Sequence, residues 1–197
     1  DTLGWEPALK NAMRQAPDVI LVGEIRDRET MSASLAYAQS GHLCLATMHA
    51  SNSYQALNRI LTFYPEEVRP TLRGDLASAM AAIVSQRLMR TVDGKRVPAC
   101  EVLLNSKLVS ELIEKGDIFG VKEAMVKSMT EGSQTFEEDI ARLVQSGRVA
   151  REEGLLHADS PTNLLWRLQN TSPVSQTNSL APTRADEGPE ALFSEIT

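Results

Sequence analysis

The sequence predicts an α/β protein, and three observations carry that reading. Val19-Ile20-Leu21-Val22 is a short unbroken apolar run, the pattern of a strand covered on both faces as in a parallel sheet. Leu43-Cys44-Leu45-Ala46-Thr47-Met48 is a second such run. Between them, residues 28–40 place Met31, Leu35 and Ala38 at three- and four-residue steps, with Gly41 as a C′ stop. A strand–helix–strand unit of about thirty residues is a right-handed crossover. Both strands therefore point the same way and share one functional edge.

Gly23 closes the first run, and Glu24, Arg26, Asp27, Arg28 and Glu29 follow at once. A carboxylate directly off the carboxyl end of a buried parallel strand sits where doubly wound sheets bind their ligands. By position alone Glu24 has two readings. One is a loop acid in a solvated charge cluster, with Asp27 capping the helix from about residue 28. The other is an acid that handles magnesium or the attacking water in phosphoryl transfer. His42 and His49 bracket the second strand. Seven residues apart on an extended chain they are separated by roughly 20 Å and face opposite sides, which excludes a shared ion on a regular strand. His49 leaves at the edge of Glu24, and His42 enters at the opposite edge. Each also has the ordinary alternative of a histidine bonded to nearby backbone.

With 197 residues, 42% of them hydrophobic, the chain can bury one core and a smaller helical appendage. The net charge is −6, and the stretch after Asn170 contributes one Arg against four acids. Bulk charge therefore draws no nucleic acid, and 5% aromatic residues supply few stacking platforms. Cys44 and Cys100 lie in apolar runs and read as buried thiols of a reducing compartment. There is no apolar run of eighteen residues and no signal peptide, and the first residue is Asp, so the sequence reads as a piece of a longer polypeptide.

Residues 4–16 place Ala8, Leu9, Ala12 and Met13 on one helical side before Pro17. Ser51 or Ser53 is expected to cap a helix bearing Leu57, Ile60 and Leu61, which Phe63-Tyr64-Pro65 ends. Pro70 opens another, whose stripe Leu72, Leu76, Met80, Ile83, Val84 and Leu88 predicts one long helix. The turn Asp93-Gly94 leads to an extended run, Val97 to Leu104. Arg59, Arg69, Arg73, Arg87 and Arg90 read as exposed. Helices follow from Ser106 to Gly116, over about 118–130, from the capping box Thr135–Glu138 to Gly147, over 150–157, and from Ser160-Pro161 through Leu168 with Trp166 as anchor. Residues 171–197, rich in Ser, Thr, Pro and Gln, are expected to be disordered.

The string Arg14 to Asp27 (R-Q-A-P-D-V-I-L-V-G-E-I-R-D) resembles the signature of the bacterial secretion and type IV pilus ATPase superfamily at every defined position. G-H-L-C-L-A-T-M-H resembles that family's His box, and Gln86-Arg87-Leu88 is similar to its sequence there. The resemblance implies a RecA-like P-loop NTPase core with a C-terminal helical subdomain. Residues 1–104 would be the second half of the core, 105–170 the helical subdomain and 171–197 a tail. It implies ATP and Mg2+ as cofactors. Glu24 would be the Walker B acid, holding magnesium directly or through water. His49 would sense the γ-phosphate, and Arg26 and His42 would join the nucleotide region. The implied protein is a homo-hexamer, with or without a paralogous retraction ATPase. It would act on an inner-membrane pilus platform protein from the cytoplasmic side, driving pilus retraction and twitching motility.

Two motifs are missing from the sequence. No G-x-x-x-x-G-K-S/T occurs: at the only Gly-Lys pair, Gly94-Lys95, Met89 stands for the first glycine and Arg96 for the hydroxyl residue. The core is thus partial, lacking its phosphate-loop half, and this piece alone is expected to be inactive. A four-cysteine zinc module, usual in the assembly and secretion motors, has only Cys100 here, which points to the retraction branch and to no zinc. Val121 to Ser128 departs from the retraction motors' A-I-R-N-L-I-R-E segment, which favours the accessory branch. The alternatives are a catalytically inactive regulatory module of the pilus machinery, or a related type II secretion or DNA-uptake ATPase.

Overall fold

The computed structural model describes residues 11, 14–15, 17–127 and 131–170. The tail after Asn170, most of the helix expected over 4–16 and the end of the one expected over 118–130 lie outside that set.

Strand β1 (Val19–Val22) pairs in parallel with β2 (Leu43–Ala46), Val19 opposite Leu43 and Val22 opposite Ala46. Helix α1 (Arg28–Gln39) makes the crossover. The Asp27 side chain accepts from the Thr30 amide at 2.9 Å, one half of a capping box, and Gly41 at φ +92° turns the chain toward β2. Among the described residues, only one face of this pair is covered. Val22 is buried under α1, whereas Val19, Leu21, Leu43 and Leu45 are 48–72% exposed. The expectation of a strand covered on both faces is corrected on that side. No described element lies over it, although parallel sheets are ordinarily buried on both faces.

Helix α2 (Ser53–Thr62) is capped by Asn52 rather than by a serine; its side chain accepts from the Gln55 amide at 3.0 Å. Ser53 is bonded to Glu101 instead. After a 3-10 turn (Glu66–Val68), α3 (Arg69–Ala79) stops where Met80 takes an extended ψ of 129°. The long helix expected from Pro70 to Leu88 is therefore wrong in its second half. Residues Ala82–Arg90 form β3, which pairs antiparallel with β4 (Arg96–Leu104) across a turn containing Gly94 at φ +80°. Val84 and Leu88 fit a helical stripe, but nine cross-strand pairs with β4 outweigh that weak local preference.

The C-terminal helices follow the expected caps. They are α4 (Lys107–Lys115), α5 (Ile118–Lys127), α6 (Phe136–Gln145), α7 (Arg151–His157) and α8 (Pro161–Asn170). Ser106 caps α4, left-handed Gly116 ends it, and Thr135 with Glu138 forms the capping box of α6. On α8 the anchor is Leu164, fully buried, whereas Trp166 is 64% exposed. Cys44 and Cys100 are free and half-buried rather than buried.

Two apolar cores result. The first joins Val22, Leu35, Leu57, Leu72 and Leu103 to Ile113, Val121 and Met125 of α4 and α5. The second joins Met89, Val97 and Ala99 to Phe136, Ile140 and Leu164 of α6 and α8. The β3–β4 hairpin belongs to both and ties them together. No helix among the described residues is long and apolar enough to cross a membrane.

Candidate functional site

The carboxyl ends of β1 and β2 are stitched together just beyond the ladder. The Ile25 amide donates to the Thr47 carbonyl at 2.8 Å, and the Thr47 hydroxyl donates to the Gly23 carbonyl. Ile25 is 6% exposed and plugs the core, so Glu24 before it and Arg26 after it turn outward. The site thus grows from a strand ending, a glycine and one apolar residue that fixes the phase of the charged ones.

Glu24 stands between Arg26 and His49. Nε and Nη2 of Arg26 both lie 2.6 Å from its Oε2, and Nε2 of His49 lies 3.3 Å from its Oε1. The Glu24 side chain is 22% exposed, while those of Arg26 and His49 are 75% and 84% exposed. The Arg26 hydrogen bond holds the Glu24 carboxyl below its ordinary range; burial opposes it, and the charges of Arg26, His49 and Arg59 help it. Glu24 is therefore ionised at neutral pH.

The structure brings together Glu24, Arg26 and His49, with Arg59 of α2 within electrostatic reach. It does not bring His42 to them. His42 lies at the start of β2, with Nδ1 2.8 Å from the Ser40 hydroxyl and its ring edge-on to Tyr37 at 6.4 Å. Of the arginines expected on exposed faces, Arg59 and Arg90 are exposed, but Arg69, Arg73 and Arg87 are half-buried. Arg69 donates to the Tyr64 carbonyl, and Arg87 is held on all sides by groups described below.

Among the described residues, no three His, Cys, Asp or Glu side chains come together as a cage for an ion. A single ionised carboxylate suits magnesium, which keeps several waters and takes one or two protein carboxylates beside substrate phosphates. Glu24 fits that part. Both its oxygens are engaged by neighbours, but these are solvent-exposed side chains whose pairing in water is weak.

Sequence reasoning missed Thr47, whose backbone and hydroxyl close the rim, and passed over Asn52, Glu101 and Asp159. Glu101 left a signal: it is the one acid inside the apolar run Val97 to Leu104.

A β1–α1–β2 crossover between parallel strands, with an acid and an imidazole at the carboxyl rim, has the form of an open α/β sheet, a class that binds ligands outside its strand ends. The profile of the type II/IV secretion system protein family matches residues 2–160, and the chain belongs to that family. It is 45% identical over 183 residues to the type IV pilus ATPase PilU of Pseudomonas aeruginosa, covering 91% of this chain and 48% of that protein. It is 32% identical to the type IV pilus retraction ATPase PilT of the same organism, covering 83% of this chain and 47% of that one. The crystal structure of the pilus retraction motor PilT with bound ADP superposes with a TM-score of 0.75 at 31% identity, over 84% of this chain and 47% of that one. These likenesses show a partial α/β domain of the kind found in the named pilus ATPases, with higher identity to PilU than to PilT. The chain spans about half the length of the curated relatives it matches.

Proposed function

We propose that this chain is part of a motor ATPase that couples ATP hydrolysis to type IV pilus retraction. The observation that carries the reading is Glu24, ionised and set between Arg26 and His49 at the shared carboxyl rim of two parallel strands. Relatives named as pilus ATPases support the same reaction.

In this proposal residues 1–104 supply half of a RecA-like core, 105–170 a helical subdomain and 171–197 a tail. The phosphate-cradling half comes from outside this sequence. The open apolar face of β1 and β2 supports that division, because Val19, Leu21, Leu43 and Leu45 would gain from being covered. Magnesium bound with ATP would neutralise charge on the transferring phosphoryl group. Glu24 would hold that ion through one oxygen, directly or by way of a water. His49, released from Oε1, would reach the γ-phosphate, and Arg26 would keep the carboxylate oriented while facing the nucleotide. His42, at the far end of β2, would serve the nucleotide only across a neighbouring subunit of a hexamer. Positioning and electrostatic stabilisation carry such chemistry. The partners are further copies or a paralogous retraction ATPase, and a pilus platform protein at the cytoplasmic face of the inner membrane.

The test is phosphate release from Mg-ATP by the longer parent chain. Glu24→Gln should lower kcat about 100-fold or more, as removal of a charge-stabilising group at a reacting centre does. The 197 residues alone should release none. A parent chain that hydrolyses no ATP, or a Glu24→Gln variant as active as wild type, overturns the proposal. The parent chain's inactivity would favour the reading of a regulatory module that keeps the fold without the chemistry.

A further inference from the structure

Three residues beyond His49 the chain leaves solvent abruptly. His49, Ala50 and Ser51 are exposed, whereas Asn52 and Ser53 are 1% and 0% exposed. What holds them comes from the far end of the chain. Nδ2 of Asn52 donates to Oδ2 of Asp159 at 3.0 Å, a pair 107 residues apart in sequence. Its Oδ1 accepts from the Gln55 amide, so both ends of the amide are used and its orientation is single. The other Asp159 oxygen, Oδ1, pairs with Nη2 of Arg87. That guanidinium also donates to the Ser51 carbonyl at 3.1 Å and to the His157 carbonyl at 2.6 Å, and it lies 4.0 Å over the Phe136 ring. Ser53 is fixed separately, its amide and hydroxyl both 2.7 Å from Oε1 of Glu101.

Asp159 lies in the three-residue link between α7 and α8. One carboxylate therefore grips the loop leaving His49 with one oxygen and, with the other, a β3 arginine that grips the same loop and the end of α7. The Arg87 and Asp159 side chains are 18% and 15% exposed. A pair this dry adds less to stability than an apolar contact of the same size, but it fixes one arrangement. A network whose members are all satisfied acts as a unit.

We infer that Asp159, gripped by Asn52 and Arg87, is a positioning residue for His49, fixing the loop that presents the imidazole to Glu24 and coupling that rim to α7 and α8. The catalytic consequence rests on the ATPase reading above; the mechanical one does not. Binding at the rim shifts the loop, and the clasp carries the shift to the α7–α8 link. By reciprocity, a load on α7 and α8 alters what the rim binds.

The experiment has two arms. In the 197-residue chain without nucleotide, hydrogen exchange is read at the Gln55 and Ser53 amides in wild type, Asp159→Ala and the milder Asp159→Asn. Exchange at Gln55 should quicken about ten-fold or more in Asp159→Ala, with Asp159→Asn between, as local opening of a released cap does. Ser106→Ala, which loosens the α4 cap outside the clasp, should leave Gln55 unchanged. In the parent chain, Asp159→Ala should lower kcat for ATP about ten-fold with KM within about two-fold, the size expected of a broken coupling. Mg-ADP should alter exchange at the Leu164 amide of α8 in wild type and not in Asp159→Ala. Unchanged Gln55 exchange in both Asp159 variants overturns the clasp. Faster exchange with kcat and the Leu164 response intact makes Asp159 a staple only and overturns the coupling. A parent chain without ATP hydrolysis sinks the functional reading, and the first arm still decides whether Asp159 holds the loop.

Discussion

Glu24 and Glu101 lie at opposite ends of one short path, Glu24 touching His49 and Glu101 touching Ser53, yet their surroundings are reversed. Glu24 meets mostly exposed side chains at a wet rim, and its Arg26 hydrogen bond draws the carboxyl below its ordinary value. Glu101 is 5% exposed; burial pushes its carboxyl up, only partly offset by the Ser53 amide and hydroxyl, with Asp159 pushing the same way as burial and Arg87 against it. The rim keeps its charge available and its partners exchangeable, as the proposed nucleotide site would require. Around Glu101 the interior holds Ser53, Asn52 and Asp159 in paired hydrogen bonds. One segment, His49 to Ser53, runs from the first regime into the second, so the placement of the imidazole is decided by dry contacts it never touches.

That contrast breaks most visibly in the dry half. Phe136 is fully buried, packs in the second core and carries the Arg87 guanidinium on its face. Phe136→Ala should cost about 3–5 kcal/mol, the range for an aromatic cavity in a core, read by urea unfolding of the 197-residue chain. A loss below about 1 kcal/mol would show that the second core collapses around the gap. A smaller effect belongs to the α6 cap. Thr135 is 5% exposed and its hydroxyl accepts from the Glu138 amide at 3.3 Å, so Thr135→Ala should cost about 1 kcal/mol. In the wet half, Glu24→Gln should lower the unfolding midpoint at pH 7 only slightly, because surface ion pairs contribute little. A marked drop there would make Glu24 a structural residue and weaken its catalytic assignment.

How much of this was legible depends on the range of the contacts. The rim was legible because it needs only topology: two apolar runs, one crossover, and the residues that leave each strand. Glu24 and His49 follow from that, and the 3.3 Å between them is its consequence. The caps at Asp27, Ser106 and Thr135 were legible because each bonds three residues on. The β3 strand was not, since Val84 and Leu88 satisfy a helical spacing and only pairing with β4 decides otherwise. Arg87 looked like a surface cation because its partner Asp159 is 72 residues away and nothing local marks either one. Trp166 drew attention by size, yet the smaller Leu164 faces inward on α8. The open face of β1 and β2 was unreadable for a different reason, because an apolar run does not say what covers it.

The finest test sets the two acids against each other by pH. A carboxyl whose pKa is raised on folding keeps its proton in the folded chain over a span where the unfolded chain has lost it. The folded state then binds more protons, and stability falls as pH rises from the ordinary value of 4.5 to the raised one. Glu101 should behave so, and Glu101→Gln, whose carbonyl still accepts from Ser53, should remove that slope. For Glu24 the sign reverses: its carboxyl is lowered, so its contribution is present above 4.5 and fades as pH falls through the folded-state value. Midpoints followed from pH 3 to 8 should therefore bring wild type and Glu101→Gln closest at the acid end and part them in the variant's favour above 4.5. Glu24→Gln should differ from wild type only through a shallow slope of opposite sense, shrinking in high salt because its partners are exposed. Parallel wild-type and Glu101→Gln profiles would mean that Ser53 compensates the burial in full. The interior would then hold its acid as comfortably as the rim does, and the division between the two regions would rest on access to solvent alone.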